Sequence, residues 1–270
     1  MSLFFISCQK KGDTIKMKGS DTEVNLAVML AEQYSAVDPN FNIAISGGGS
    51  GLGIASLMNR QADIANSSRP LTEEEIELFR SKGIEIKTLT FAEDATAFIV
   101  HHDSPLEEID LSTLSKIMSG ELTDWKTITG KSQPISIYGR QSSSGTYSFI
   151  RKKLKIAFSS DAKEMTGNAQ IIEGIKADRS GIGYVGAGYL SQKVSSDQAV
   201  KVLKIKTDPQ SAGVSPIDKE AINKRQYYFQ RPLYQFVLAE SWDKVKPFID
   251  FEKSNNGKSI IQSSGYYIIE

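Results

Sequence analysis

Thr14-Ile15-Lys16-Met17-Lys18-Gly19-Ser20-Asp21-Thr22-Glu23 is the stretch on which the reading of the fold turns. Its first part alternates apolar and polar residues as a short strand does, with successive side chains on opposite faces. Gly19 hands over directly to Ser20, and the spacing from Ser20 to Glu23 fits a capping box. A helix over about 22–36 is expected next, with Val24, Ala27, Val28, Ala31 and Tyr34 on its apolar face and Pro39 beyond its end.

The same rhythm recurs downstream. Asn42–Ser46 reads as a second strand, and Gly47-Gly48-Gly49-Ser50-Gly51 leads into a helix through Ile54, Leu57 and Met58. Ala62–Asn66 reads as a third strand, ended by Ser67-Ser68-Arg69-Pro70. Thr72 and Glu75 form a second capping-box pattern, opening a helix that Gly83 closes. After Ile84–Leu89, a second unit begins at Phe91–Val100. It includes a strand at Ile135–Tyr138, a polar loop from Gly139 to Gly145 and a helix over about 146–158. A strand at Pro232–Leu238 and an amphipathic helix at Val245–Lys253 return the chain to the first unit. Strands alternating with helices define an α/β fold. A chain that leaves one unit and comes back predicts two lobes, residues 14–90 plus 231–270 and residues 91–230, with a cleft suited to a small ligand.

The chain has 270 residues, 40% hydrophobic and 24% charged, enough for two such lobes. Its 32 basic side chains are matched by 32 acidic ones, so no global basic field points to nucleic acid or to an anionic membrane surface. Any anion must be gripped locally. The single cysteine, Cys8, excludes an intramolecular disulfide framework and a thiolate zinc site. It follows Leu3-Phe4-Phe5-Ile6-Ser7 and precedes Gln9-Lys10-Lys11-Gly12-Asp13, which resembles a bacterial lipoprotein processing site. Residues 1–13 are therefore expected to be a tether acylated at Cys8, although the apolar run is shorter than a bilayer span or a usual signal segment.

Four segments place small or hydroxylated residues where a strand gives way to a helix: Gly19–Thr22, Gly47–Gly51, Asn66–Arg69 and Arg140–Thr146. A helix start exposes unpaired N–H groups and the positive end of the dipole, so an anion is favoured there. Arg69 and Arg140 add planar forks that match an oxyanion. Each loop alone could be a cap or a turn; together they describe a compact oxyanion pocket.

These residues, with Ala62–Leu71 and Gly181-Ile182-Gly183-Tyr184-Val185-Gly186, resemble in order and spacing the phosphate-binding proteins of the bacterial high-affinity phosphate ABC importer. The resemblance implies a type II periplasmic-binding-protein fold with two α/β lobes, two crossovers and a dehydrated phosphate between them. It also implies contacts to phosphate from Ser20, Asp21, Thr22, Ser50, Gly51, Ser68 and Arg69 of one lobe and from Arg140, Ser144, Gly145 and Thr146 of the other. The implied partners are inorganic phosphate and the permease subunits. The chain is expected to be a monomer in the periplasm or cell envelope, held to the membrane only by its lipid. One form of the family carries acids at the positions matching Ser68 and Ser142, the first accepting the proton of hydrogen phosphate. Here both are serine, and Asp21 is the only carboxylate within these loops to take that part.

Other readings fare less well. Gly181–Gly186 formally matches a dinucleotide fingerprint, but Ile182–Val185 reads as the strand itself and 171–177 as a helix before it, the wrong order for that motif. Gly47–Gly53 lacks the lysine of a P-loop, and no Gly-x-Ser-x-Gly elbow occurs. His101 and His102 follow a strand, and successive side chains pointing oppositely make a poor joint metal site, so neither metal nor cofactor is expected. The rivals are an enzyme acting on phosphate esters, for which the loops offer no nucleophile with a base and no carboxylate cluster, and a surface lipoprotein with an incidental anion site.

Overall fold

The structure is a computed structural model that describes residues 14–191 and 200–269; Cys8 and the expected tether lie outside them. The alternation at the start forms β1 (Ile15–Gly19), with Ile15, Met17 and Gly19 buried. One 3₁₀ turn (Asp21–Glu23) leads into α1 (Val24–Ser35), followed by β2 (Ile43–Ser46), α2 (Ser50–Met58), β3 (Ile64–Ser67) and α3 (Glu73–Ser81). The long β4 (Ile86–His101) then carries the chain into β5 (Glu108–Asp110), α4 (Leu111–Ser119), α5 (Lys126–Thr129), β6 (Ser136–Arg140) and α6 (Gly145–Leu154). Next come β7 (Lys163–Met165), α7 (Asn168–Ala177), β8 (Gly181–Gly186), α8 (Ala187–Ser191), β9 (Val200–Val202), β10 (Lys204–Lys206) and α9 (Lys219–Asn223). β11 (Gln230–Leu238) brings the chain back to α10 (Trp242–Lys253) and α11 (Asn255–Ser263).

Nine strands form one sheet in the order β2-β1-β3-β11-β4-β8-β6-β7, with β9 also on β4, and β10 pairs with β5 separately. β1 runs parallel to β2 and β3, and β6 runs parallel to β7 and β8. Between these two parallel wings lie β4 and β11, antiparallel to each other and to their outer neighbours. Residues 86–95 of β4 pair with β11, and residues 96–100 pair with β8, so one strand serves both wings. The stretches Ile84–Leu89 and Phe91–Val100 thus fall largely on a single strand. From Ala92 to His101 every residue is buried, and a strand covered on both faces carries no alternation from which its length could be read.

Each wing has its own apolar core. Met17, Leu26, Leu30, Ile64, Val237 and Phe248 pack together in the first, and Phe98, Ile117, Ile137, Ile150, Ile171 and Tyr184 in the second. A smaller cluster of Ile54, Leu57, Phe79 and Phe236 covers α2 and α3. Three local expectations change. Val28 is 37% exposed, because the bulkier Leu26 and Leu30 take the inward positions of α1. The box at Ser20 and Glu23 does not form: the Ser20 hydroxyl goes to Ser68, whereas the box at Thr72 and Glu75 is complete. α6 stops at Leu154 rather than near residue 158, because Lys155 turns left-handed at φ 55°.

Two acids are sealed in the first wing. Glu252 accepts a bond from Gln235 Nε2 at 3.0 Å, and burial pushes its carboxyl from 4.5 to about 8; burial also pushes Glu23 well upward. Below the ordinary value of 4.5 both folded and unfolded chains hold the Glu252 proton, and between there and about 8 only the folded chain does. Stability should therefore fall as pH rises through that window, by up to roughly 1.4 kcal/mol per pH unit for each such group. Urea unfolding of Glu252→Gln at about pH 5 and about pH 8 should show a shallower loss than wild type. Equal slopes would mean that Glu252 is ionised in the folded protein.

Candidate functional site

β1 and β3 are paired so that Gly19 lies opposite Asn66, which sets Ser20 and Ser68 side by side at the carboxyl ends of parallel strands. The approach requires glycine: Gly19 has φ 138°, and a Cβ there would sit 2.1 Å from the Asn66 carbonyl oxygen. Ser20 Oγ donates to Ser68 Oγ at 3.2 Å, Ser50 Oγ at the start of α2 lies 3.4 Å from Ser68 Oγ, and the Ser68 N–H donates to Ser50 Oγ at 3.1 Å. All three hydroxyls belong to buried residues.

The second wing supplies the opposite wall. β6 ends at Arg140, a turn follows, and Ser144 caps α6 by accepting the Tyr147 N–H at 3.4 Å. Gly145 opens α6 against the serines, where a Cβ would lie 2.3 Å from Ser50 Oγ and 2.7 Å from Ser68 Oγ. Thr146 Oγ1 meets Thr22 Oγ1 at 3.2 Å. The starts of α2 and α6 therefore converge with five hydroxyls from both wings: Ser20, Thr22, Ser50, Ser68 and Thr146.

Arg140, where the loop into α6 begins, adds a buried charge facing Asp21. It is 2% exposed; Nη2 donates to the Thr166 carbonyl at 3.0 Å, and Nη1 lies 3.6 Å from Asp21 Oδ2. Its Nε and Nη1 make no hydrogen bond. Burial lowers its pKa, with Asp21 acting in the opposite direction. A buried cation with unspent donors, a ring of hydroxyls and two helix starts suit a desolvated oxyanion.

Not every expected residue joins this ring. The Arg69 guanidinium is turned away, held by both oxygens of Glu75 at 2.7 Å each and by the Pro70 carbonyl, so it braces the start of α3. Asp21 reaches across to the other wing, where Oδ2 accepts from Asn168 N at 2.8 Å and Nδ2 at 2.7 Å. The Gly51 N–H is committed to the Ser143 carbonyl at 2.9 Å, and Ser142 is exposed. Sequence reading passed over Arg231, which is 2% exposed, pairs with buried Asp94 and donates to Thr146 Oγ1 at 3.0 Å. Neither Arg231 nor Asp94 lies in a loop motif; each sits within a strand, so only the cross-strand register brings them together.

The expectation that His101 and His102 diverge is also corrected. β4 ends at His101 and the chain turns, which brings the two rings to 4.4 Å and puts ligand atoms of His101, His102 and Asp103 within 4.8 Å of one another. His101 Nδ1 already accepts the Asp103 N–H, and Arg179 pairs with the Asp103 carboxylate at 2.9 Å. Gly181–Gly186 is the buried strand β8 after α7, as expected, and not a dinucleotide turn.

Residues 9–256 match the PBP superfamily domain. The chain is 31% identical to the phosphate-binding protein PstS of Borreliella burgdorferi, over 93% of this chain and 88% of that protein. A substrate-binding protein from Clostridium perfringens, solved with bound phosphate, superposes with a TM-score of 0.84 at 24% identity, covering 96% of this chain and all of the other, which shows the shared type II fold. An ABC-type phosphate transport receptor from Vibrio cholerae superposes with a TM-score of 0.71 at 27% identity over 94% of this chain and 100% of that one.

The two arginines of the sequence reading should now separate. Arg140→Ala is expected to weaken oxyanion binding about a hundredfold or more, since charge-assisted bonds of roughly 1.5–3 kcal/mol each are lost. Arg69→Ala should leave binding within about threefold and lower stability by roughly 1 kcal/mol or less, as its partly buried pair with Glu75 is only partly screened. Titration calorimetry and thermal unfolding of both variants would check this; equal losses of affinity would return Arg69 to the site.

Proposed function

This chain belongs to the PBP superfamily, in the family of the PstS phosphate-binding proteins, and from that premise we propose that it captures inorganic phosphate outside the cytoplasm and delivers it to the permease of an ABC importer. The observation that carries the reading is Arg140: a guanidinium 2% exposed, with Nε and Nη1 unbonded, opening the loop whose Gly145 and Thr146 meet hydroxyls of the first wing. Such a site holds an anion stripped of water, and its selectivity comes from donors already aimed before the anion arrives.

In this proposal residues 14–90 plus 231–270 form one lobe and residues 91–230 the other. Ser20, Thr22, Ser50 and Ser68 hold the phosphate from the first, and Arg140, Ser144, Gly145 and Thr146 from the second. Asp21 and Gly51 act across the cleft by clasping Asn168 and Ser143, which favours the closed form. The chain acts as a monomer that binds and releases phosphate rather than converting it. Serine at 68 and at 142 leaves no carboxylate at either place to repel a fully ionised sulfate, so the margin for phosphate over sulfate is narrower than in an acid-bearing site. Among the described residues no helix is long and apolar enough to cross a membrane, and the anchor is the lipid on Cys8.

Calorimetry should find one phosphate per chain, with no turnover of a generic phosphate ester; no heat of phosphate binding at micromolar protein would end the proposal. Competition titrations should show sulfate displacing phosphate at large excess, and Ser68→Asp should widen the gap. If wild type already ignores sulfate and Ser68→Asp changes nothing, another group reads the proton. Cys8→Ala in the precursor should bind phosphate normally and leave the membrane fraction; continued membrane association would refute the lipid anchor.

A further inference from the structure

We infer that the buried Arg231–Asp94 pair is a positioning device of the anion site, one that turns the Thr146 hydroxyl into a donor and ties both wings to the strands between them. The inference rests on the phosphate-binding reading above and adds to it a pair that sits in neither set of loops. Arg231 on β11 and Asp94 on β4 face each other directly across the register, 2% and 0% exposed. Nε and Nη2 of Arg231 both donate to Asp94 Oδ2, at 3.1 and 2.8 Å. The same Nη2 donates to Thr146 Oγ1 at 3.0 Å in the second wing, and Nη1 donates to the Ser68 carbonyl at 3.4 Å in the first. The guanidinium carbon lies 5.1 Å from the centre of the Phe149 ring, which shields it from water.

The consequence follows from proton counting. A guanidinium can only donate, so Thr146 Oγ1 must accept from Arg231, and its one proton is left for Thr22 Oγ1, 3.2 Å away, or for a bound oxyanion. Either threonine can be the donor in their mutual contact, but the Thr146 proton itself is aimed away from Arg231. The second role is electrostatic. Arg231 adds positive charge within reach of Arg140, and Asp94 compensates it enough for two guanidinium groups to share one buried region. A buried ion pair adds little net stability by itself, so its value here lies in what it orients.

The test is a double-mutant cycle on phosphate affinity. Arg231→Met should weaken binding about thirtyfold or more, and Arg231→Lys, which keeps the charge and a donor for Thr146, should recover part of the loss. In a Thr146→Val background the same Arg231→Met change should cost clearly less affinity than it does in wild type, because the hydroxyl is gone and only the effect of charge remains. Arg231→Met with Asp94→Leu, which removes both buried charges, serves if the single variant does not fold, and should bind as poorly. The assignment is overturned if this folded double variant, or Arg231→Met itself, binds within about threefold of wild type, or if the Arg231 and Thr146 losses simply multiply. Wild type failing to bind phosphate would instead overturn the functional reading, and the assignment with it.

Discussion

A guanidinium taken out of water must be met by lone pairs or by charge, and that requirement around Arg140 organises the rest of the molecule. A carboxylate in full bidentate contact would satisfy the arginine and quench its attraction for an anion. The protein does otherwise. Asp21 stands 3.6 Å away and spends its Oδ2 on two donors of Asn168, while the Thr166 carbonyl takes one N–H of Arg140. The charge is compensated but not consumed, and Nε and Nη1 make no hydrogen bond.

That balance depends on residues from both wings, so it exists only when the wings are together. Asp21 meets Asn168, the Asp21 carbonyl takes the Tyr189 hydroxyl, and the Gly51 N–H meets the Ser143 carbonyl. Among the described residues, β4 and β11 are the strands that join the two parallel wings. A motion that separated the wings would break these loop contacts and be absorbed in β4 and β11, as in hinged closure around a ligand. The bulge between Leu233 and Tyr234 shows where their pairing already departs from regularity.

The hydroxyl ring and the joining strands are therefore one construction. Arg231 and Asp94 lie in the joining strands and touch Thr146 and the Ser68 carbonyl, so the strands about which the wings would turn also hold groups of the site. The buried acids Glu23 and Glu252 lie behind the first wing's loops, where burial keeps them neutral more readily than charged.

The linear chain by itself determined the α/β rhythm, the strand end at Gly19 and the hydroxyl-rich helix starts, because these depend on neighbours within a few residues: alternation, glycine at a crowded turn, serine at a cap. Most of the hydroxyl ring was legible for that reason. Which arginine keeps unbonded donors was decided only in three dimensions. Arg69 and Arg140 look alike in their loops, yet Glu75, six positions after Arg69, captures the first at the start of α3, while Arg140 gives one bond to the Thr166 carbonyl, lies 3.6 Å from Asp21 and keeps two nitrogens unbonded. Arg231 and Asp94 are separated by 137 residues and become partners solely through antiparallel register. The two histidines turned together for the same kind of reason, since the strand ended one residue too soon for alternation to part them. Local chemistry can be read along a chain because it acts between bonded neighbours; the pairing of buried charges depends on which distant segments share a dry interior, and folding alone sets that.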